Sequence, residues 1–494
     1  MKDLKQRALR GGLARIISQV STLFLRMGSL VIMARILNPR DFGLVGMATA
    51  MVGVFGIFGD FGLTSAAVQH TTITEEQSST LFWINLLVGA TLTMLALAAA
   101  PFVAAFYHQQ HLTSVTAVLA TAFLFNAAAI QHSALLERQM RFVALSMLDI
   151  FSLLLSTSIG IGMALRGFGY WSLVVTSTVT PLIFMLGVWL AAGWVPGRPR
   201  KCEGITSMMR FGGILSLNGL ATYISGNLDK VLLGRFWGAE ALGIYGRAYQ
   251  LVNIPTTNLN SAAGGVVFAA LSRLHGHPDR QRSYFLKGYS LVLGVTIFIA
   301  FSCEIFASDI IHIFLGPKWD HAIPIFRLLA PTTLGFAILT PINVLLTACG
   351  LVEKSLKVSL VTAPILILGY SMGLPWGPNG VASGYSAIMI LATVPLMAWA
   401  VRETSVSFQD LLQTIDRPLV SGIVAGGTAF GLQILYGRLL HPIPRLAVGV
   451  VVISSVYLWM LLYVMKQKFF YLDIIRGLRK TPSTDDPLMV SPNQ

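Results

Sequence analysis

The sequence predicts an all-α, polytopic membrane protein, on three observations. Only 11% of the 494 residues are charged while 54% are hydrophobic, against roughly 25% charged in a soluble domain. A water-soluble chain of this length could not cover its own surface with so few charges. Apolar stretches of about twenty residues, the length that crosses a bilayer as a helix, recur from end to end. The connections between them are short, so no segment is left from which a soluble domain could fold. Mean hydropathy is +0.70.

The spans are expected near 13–34, 43–66, 79–104, 113–133, 143–165, 169–191, 211–233, 241–270, 287–307, 322–347, 354–372, 380–402, 418–437 and 443–465, about fourteen in all by the length criterion. The basic N-terminus (Met1 to Arg15) runs into the first of these without a small-residue cleavage site, so no cleavable signal peptide is expected. Lys and Arg favour one set of connections by roughly three to one. That set holds Lys2, Lys5, Arg7, Arg10 and Arg15, then Arg138/Arg141, Arg198/Arg200/Lys201/Arg210, Arg273/Arg280/Arg282/Lys287, Lys354/Lys357, Arg402/Arg417 and the C-terminal tail. The other holds Arg35, Arg40, Arg166, Lys230, Arg235, Lys318, Arg438 and Arg445. The bias places both termini in the cytoplasm, which requires an even number of spans. A net charge of +14 scattered among loops, with no recognition motif beside it, points to an anionic leaflet and not to nucleic acid.

Other chemistries find no support. Cys202, Cys303 and Cys349 are far apart with no CxxC pair, and read as small apolar fillers. His275 and His277 have no carboxylate or Cys at ligand spacing, so no metal site is expected. Gly160-x-Gly162 and Gly167-x-Gly169 follow no strand, which argues against a dinucleotide site, and there is no GxxxxGK[ST] phosphate loop. No cofactor is expected, and transport would run on a gradient or on product removal. Trp83, Trp171, Trp194, Trp237, Trp319 and Trp459 lie at or near predicted span ends, where indoles anchor at the interface.

An internal repeat is more informative. Residues 31–48, VIMARILNPRDFGLVGMA, align without gaps on 231–248, VLLGRFWGAEALGIYGRA, at an offset of about 200. Val31/Val231, Arg35/Arg235, Gly43/Gly243, Gly46/Gly246 and Ala48/Ala248 are identical; Thr22/Thr222 and Gly12/Gly212 extend the match, and Asp60 falls on Asn260. The offset covers six spans, an even number, so both copies insert in the same direction. Such parallel repeats are related by an axis along the membrane normal, with the substrate site between them. The expected organisation is a bundle at 1–195, its repeat at 196–402, two additional spans at 403–466 and a cytoplasmic tail at 467–494.

Polar residues mark one face of each repeat's first helix. In the first span, Arg15, Ser18, Gln19, Thr22, Arg26 and Ser29 fall within an arc of about 100°. Arg26 is mid-span, where a charge costs about 2.5 kcal/mol or considerably more, and a water-filled cavity relieves that cost. In the seventh span Asn218, Thr222, Ser225 and Asp229 form the equivalent stripe. The two stripes differ where Arg26 meets Gly226 and Ser29 meets Asp229, which suits a substrate with distinct ends. Arg247, Glu304 and Arg327 lie near the periplasmic span ends; Arg247 and Arg327 join the candidate cavity set, and Asp60, Asp149 and Asp229 are candidates for ion coupling.

RILNPRDFGLVGMATAMVGVFGIFGDFGLTSAAVQ, its copy NLDKVLLGRFWGAEALGIYGRAYQLVNIP and the segment IIHIFLGPKWDHAIPIFRLLAP together resemble the polysaccharide flippases of the multidrug/oligosaccharidyl-lipid/polysaccharide exporter superfamily. The resemblance covers about residues 10–400 and is greatest to the branch that includes the colanic acid and lipopolysaccharide exporters. It implies a pair of six-helix bundles working by alternating access on undecaprenyl-pyrophosphate-linked oligosaccharide, in a bacterial inner membrane and without enzymatic chemistry. It also implies that Arg26 holds pyrophosphate and that the last two spans serve the polyprenyl tail. A polysaccharide polymerase and export machinery are the implied partners, besides membrane lipid. Three alternatives carry different signatures: a cation- or proton-coupled multidrug antiporter, which gains nothing from a buried arginine; a polymerase, ligase or membrane glycosyltransferase, which generally needs a sizeable periplasmic loop; and a lipid II flippase, which shares the mechanism.

Overall fold

The computed structural model describes residues 2–59, 75–199, 205–274, 276–436 and 441–472, with side chains omitted for 2–16, 205–218, 221–222, 260–263, 265–266 and 269. The helices are α1 (Lys2–Ile36), α2 (Pro39–Gly56), α3 (Glu75–Tyr107), α4 (His111–Arg138), α5 (Phe142–Leu165), α6 (Trp171–Ala192), α7 (Ile205–Arg273), α8 (Pro278–Ile305), α9 (Ala307–Phe314), α10 (Ala322–Leu329), α11 (Thr332–Ala348), α12 (Val352–Gly373), α13 (Gly377–Ala400), α14 (Phe408–Tyr436) and α15 (Pro442–Trp459). No strand occurs among the described residues. Ten helical stretches among them are long and apolar enough to cross a membrane, the one at 352–403 holding both α12 and α13.

This is a polytopic membrane protein, and its surface shows why. Phe24, Phe102 and Leu190 are 72%, 77% and 85% exposed, an arrangement that hydrocarbon tolerates and water does not. Helices are the structure that satisfies every backbone polar group within one segment, as lipid demands. Prolines 101, 181, 255, 341, 364, 395 and 418 lie inside helices, a tolerance typical of spanning segments. The expected 322–347 span is interrupted at Ala330–Pro331, between α10 and α11, where the proline nitrogen has no N–H to continue the helix ladder.

The chain forms two compact units. The first comprises 1–248 with 314–325 and 363–385. In it α3 packs on α4, α4 and α5 pack on α6, α1 packs on α5, and α2 packs on α4. This unit contains the expected first copy of the repeat together with 196–248, 314–325 and 363–385 of the expected second. The other comprises 249–313, 326–362 and 386–494, in which α14 packs on α8 and α15, and α8 also packs on α11. The last two helices are held to α8 and α9 by specific polar contacts. The Arg445 guanidinium pairs with the fully buried Asp309, Tyr457 donates to the Gly294 carbonyl at 2.7 Å, and Arg282 grips Asp410 through Nε at 2.8 Å and Nη2 at 2.5 Å.

Candidate functional site

The site residues belong mainly to α1 and α7, the two helices that begin the repeats. Helix α7 is a hairpin of two arms, 205–237 and 239–273, broken at Gly238 with φ +82° and ψ −178°, a geometry that needs glycine. The break lets the start of the second arm, residues 239–248, return beside the first. Tyr245, fully buried on the second arm, then donates its hydroxyl to Asp229 Oδ2 on the first at 2.8 Å. Asp229 is 4% exposed and its Oδ1 has no hydrogen-bond partner among the described residues. Tyr370 of α12 donates to the Ser225 carbonyl at 3.3 Å, one turn before Asp229.

Arg247, half-buried on the second arm, lies over Phe42 with 4.6 Å from guanidinium carbon to ring centroid, a cation–π contact. Phe42 and Trp319 also meet edge to face, at 5.4 Å between centroids. Trp319 is fully buried and donates its indole N–H to the Ala34 carbonyl at 2.9 Å. Since α1 ends at Ile36, that carbonyl is among the last of its helix, which have no partner within it. Trp237 likewise donates to the Leu374 carbonyl at 2.9 Å.

Where α2 meets the second arm of α7, the repeat becomes a physical symmetry. A Cβ added at Gly43 would overlap the Ala239 carbonyl oxygen, and one at Gly243 would overlap that of Pro39. Gly43 and Gly243 are equivalent in the repeat, as are Pro39 and Ala239. The contact is therefore reciprocal, as a two-fold axis requires. Nearly two turns on along α2, the Tyr223 hydroxyl shares its proton between the carbonyls of Thr49 and Ala50, at 3.2 and 3.1 Å.

On α1 the polar face is partly as expected. Gln19 and Arg26 are exposed, Thr22 and Ser29 half-buried, and Arg26 makes no hydrogen bond or ion pair with the described residues. Ser18 turns away from them: it is buried and donates to the Ser146 carbonyl of α5 at 3.4 Å. Asp149 is exposed on α5. Arg327, in the other unit, is exposed and is an electrostatic neighbour of Glu304. Asp60, Cys202, His275 and the side chains of Asn218 and Thr222 lie outside the described residues. Among the described residues no group of three His, Cys, Asp or Glu is placed to hold a metal. Tyr245, Tyr370 and Trp319 are the polar partners that sequence reasoning missed; the one available signal was that a buried aspartate needs a donor.

Residues 32–324, more than half of the chain, match the family described as "Polysaccharide biosynthesis protein". The chain belongs to this family. Its relatives include the teichuronic acid biosynthesis protein TuaB of Bacillus subtilis (strain 168), 26% identical over 81% of this chain and 84% of that protein. The lipopolysaccharide biosynthesis protein WzxC of Escherichia coli (strain K12) is 23% identical over 79% and 80%. The succinoglycan biosynthesis transport protein ExoT of Rhizobium meliloti (strain 1021) is 24% identical over 66% and 65%. The fold is that of the lipid II flippase MurJ in an inward closed conformation, with TM-score 0.73 and 14% identity over 95% of this chain and all of that one. An inward-facing multidrug transporter of the MATE family also matches, with TM-score 0.63 and 15% identity over 80% and 96%. The family match agrees with the polysaccharide branch expected from the residues, and the fold with that of its transporters.

Proposed function

We propose that this protein flips undecaprenyl-pyrophosphate-linked oligosaccharide from the cytoplasmic to the periplasmic leaflet of a bacterial inner membrane, for surface polysaccharide assembly. The observation that carries this is the family match on a chain whose helices are built to lie in a bilayer. The named relatives act in teichuronic acid, lipopolysaccharide and succinoglycan biosynthesis, one of them as a transport protein. A pyrophosphate head with several sugars cannot cross hydrocarbon unaided, whereas its lipid tail can stay there. The protein's task is to shelter the head, and no bond need be made or broken.

Arg26 is the principal candidate for the pyrophosphate. A guanidinium presents paired N–H donors that match phosphate oxygens bidentately, and this one is exposed and uncommitted among the described residues. Gln19, Thr22, Ser29, Asn218 and Thr222 would serve sugar hydroxyls, with Arg247 and Arg327 as further cations. Asp60, Asp149 and Asp229 are the acidic groups available to couple the cycle to an ion. The working halves are the bundles 1–195 and 196–402, the appended helices span 403–466, and the 467–494 tail is cytoplasmic together with the N-terminus. A polysaccharide polymerase and export machinery would receive the product.

The test is flipping by purified protein in liposomes. The substrate is a fluorescent polyprenyl-pyrophosphate oligosaccharide, and a lectin reads the sugar on the outer leaflet. Native protein should accelerate exposure, and Arg26→Ala should lose at least tenfold of that rate while staying folded. An unchanged rate in Arg26→Ala removes the arginine from the site. Extrusion of cationic dyes with no flipping of any glycan overturns the function.

A further inference from the structure

The last membrane-spanning stretch, Pro442–Val464, does not simply run out into water. Its final residues, Met460–Val464, widen into a π-turn, Lys466 takes a left-handed backbone with φ +55°, and 468–472 form a short helical turn. That turn comes back onto α8. The Tyr471 hydroxyl shares a hydrogen bond with Ser290 Oγ at 3.0 Å. Ser290 lies one turn before Gly294, whose carbonyl accepts from Tyr457 within the span at 2.7 Å. The returning segment is therefore drawn alongside the span, with Gln467 buried and Tyr471 half-buried as its protein-facing pair.

The other face of the segment has a different composition. Phe469 is 83% exposed, and Lys466 and Lys468 are exposed beside it. Neither lysine has a carboxylate partner among the described residues. Lys468 Nζ instead lies 5.2 Å from the centroid of the Tyr463 ring. Tyr463 belongs to the exposed strip of the span's last turns, with Leu458, Trp459 and Val464. The outward face of the segment is thus continuous with the lipid-facing strip of the span, and Lys468 stands at its edge. Trp and Tyr mark that edge in membrane proteins, where hydrocarbon gives way to head groups. An apolar ring flanked by lysines, lying along the interface, is how an amphipathic segment engages a bilayer: the ring enters the acyl boundary and the ammonium groups stay with the phosphates.

We propose that residues 466–472 form a binding site for an anionic phospholipid of the surrounding bilayer. Phe469 enters the boundary between head group and acyl chain, and Lys466 and Lys468 hold the head-group phosphate, on a segment that Tyr471 pins to α8. A zwitterionic lipid brings the same phosphate with an ammonium group of its own, so two lysines favour the lipid with net negative charge. The site requires a chain that spans a membrane and is independent of what that chain transports.

The test places a bimane fluorophore at position 469 (Phe469→Cys) of the full-length protein in phosphatidylcholine nanodiscs. Labelling of the parent protein gives the background from Cys202, Cys303 and Cys349. The probe is a small, equal fraction of phosphatidylglycerol or phosphatidylcholine carrying a nitroxide near the head of its acyl chain. Quenching by the phosphatidylglycerol probe should exceed that by the phosphatidylcholine probe by about fivefold or more. Lys466→Gln with Lys468→Gln should bring the two probes to within about twofold of each other, whereas Lys466→Arg with Lys468→Arg should keep the preference. Equal quenching by the two probes with both lysines present, or a preference that survives in the glutamine pair, overturns the proposal. So does quenching by a water-soluble nitroxide but by neither lipid, which would put the segment in water. Loss of the preference on adding free glycerol phosphate would make the site one for a soluble phosphate, and overturns the lipid as its ligand.

Discussion

The crossing of α2 over the second arm of α7 offers a perturbation whose size can be worked out. If the halves proposed above, 1–195 and 196–402, move against each other in an alternating-access cycle, this contact must open and reseal. Gly43→Ala places a Cβ inside the Ala239 carbonyl oxygen, far short of the 3.4 Å at which ordinary contact begins. The obstacle is backbone and cannot rotate away, so the helices must part by roughly 1–2 Å and forfeit much of the dispersion contact along the crossing. Overpacking of this kind costs about 1–3 kcal/mol. The gain in helix propensity on replacing glycine, about 1 kcal/mol, is present whether the crossing is open or shut and cancels from the opening equilibrium. A shift of about 2 kcal/mol toward opening corresponds to about thirtyfold in population. Leu242, 2% exposed and packed on Gly46 and Gly234, is a suitable reporter. With Leu242→Cys in nanodiscs, adding Gly43→Ala should raise the maleimide labelling rate by about that factor. Gly246→Ala is the matched control, since a Cβ there meets nothing within 4 Å. The reasoning fails if Gly43→Ala labels no faster than its parent, or if Gly246→Ala speeds labelling equally.

Two further substitutions test the polar contacts that hold each unit. Trp319→Phe removes the donor to Ala34 and leaves a helix-terminal carbonyl buried without it, which should cost about 2 kcal/mol and lower the thermal unfolding midpoint. Arg445→Met strands the fully buried Asp309 carboxylate, at about 3–5 kcal/mol; adding Asp309→Asn should restore most of the lost midpoint, whereas a packing defect around the introduced methionine would leave it low.

The bilayer class was legible because composition alone excludes a soluble surface, and the repeat was legible because Gly43 and Gly243 are constrained by the same backbone contact. Periodicity located Gln19 and Arg26 on an exposed face of α1. It could not tell that Ser18, on the edge of the same arc, is covered by α5, because an arc records direction and not which neighbour fills it. Trp319 reads as an interfacial anchor by its place near a span end, yet its indole is buried under α1; Trp83 and Trp459, at 42% and 58% exposure, keep the interfacial pattern. The Asp229–Tyr245 bond was invisible for another reason. Its partners sit on two arms of one helix hairpin, and only the fold at Gly238 sets their register.

The repeat also explains where functional residues should be sought. Two copies of one structural unit pack reciprocally at positions that both retain, and the Gly43–Ala239 and Gly243–Pro39 contacts are that case. A substrate with a charged pyrophosphate at one end and neutral sugars at the other has no two-fold symmetry, so a cavity that binds it must break the symmetry its scaffold imposes. The breaks are Arg26 against Gly226 and Ser29 against Asp229: a cation gained on one side and an acid on the other. Arg26 is exposed, while Asp229 is buried against its own hairpin. On the function proposed above, the two departures divide the labour, Arg26 toward the head group and Asp229 toward the ion, on helices that the repeat aligns.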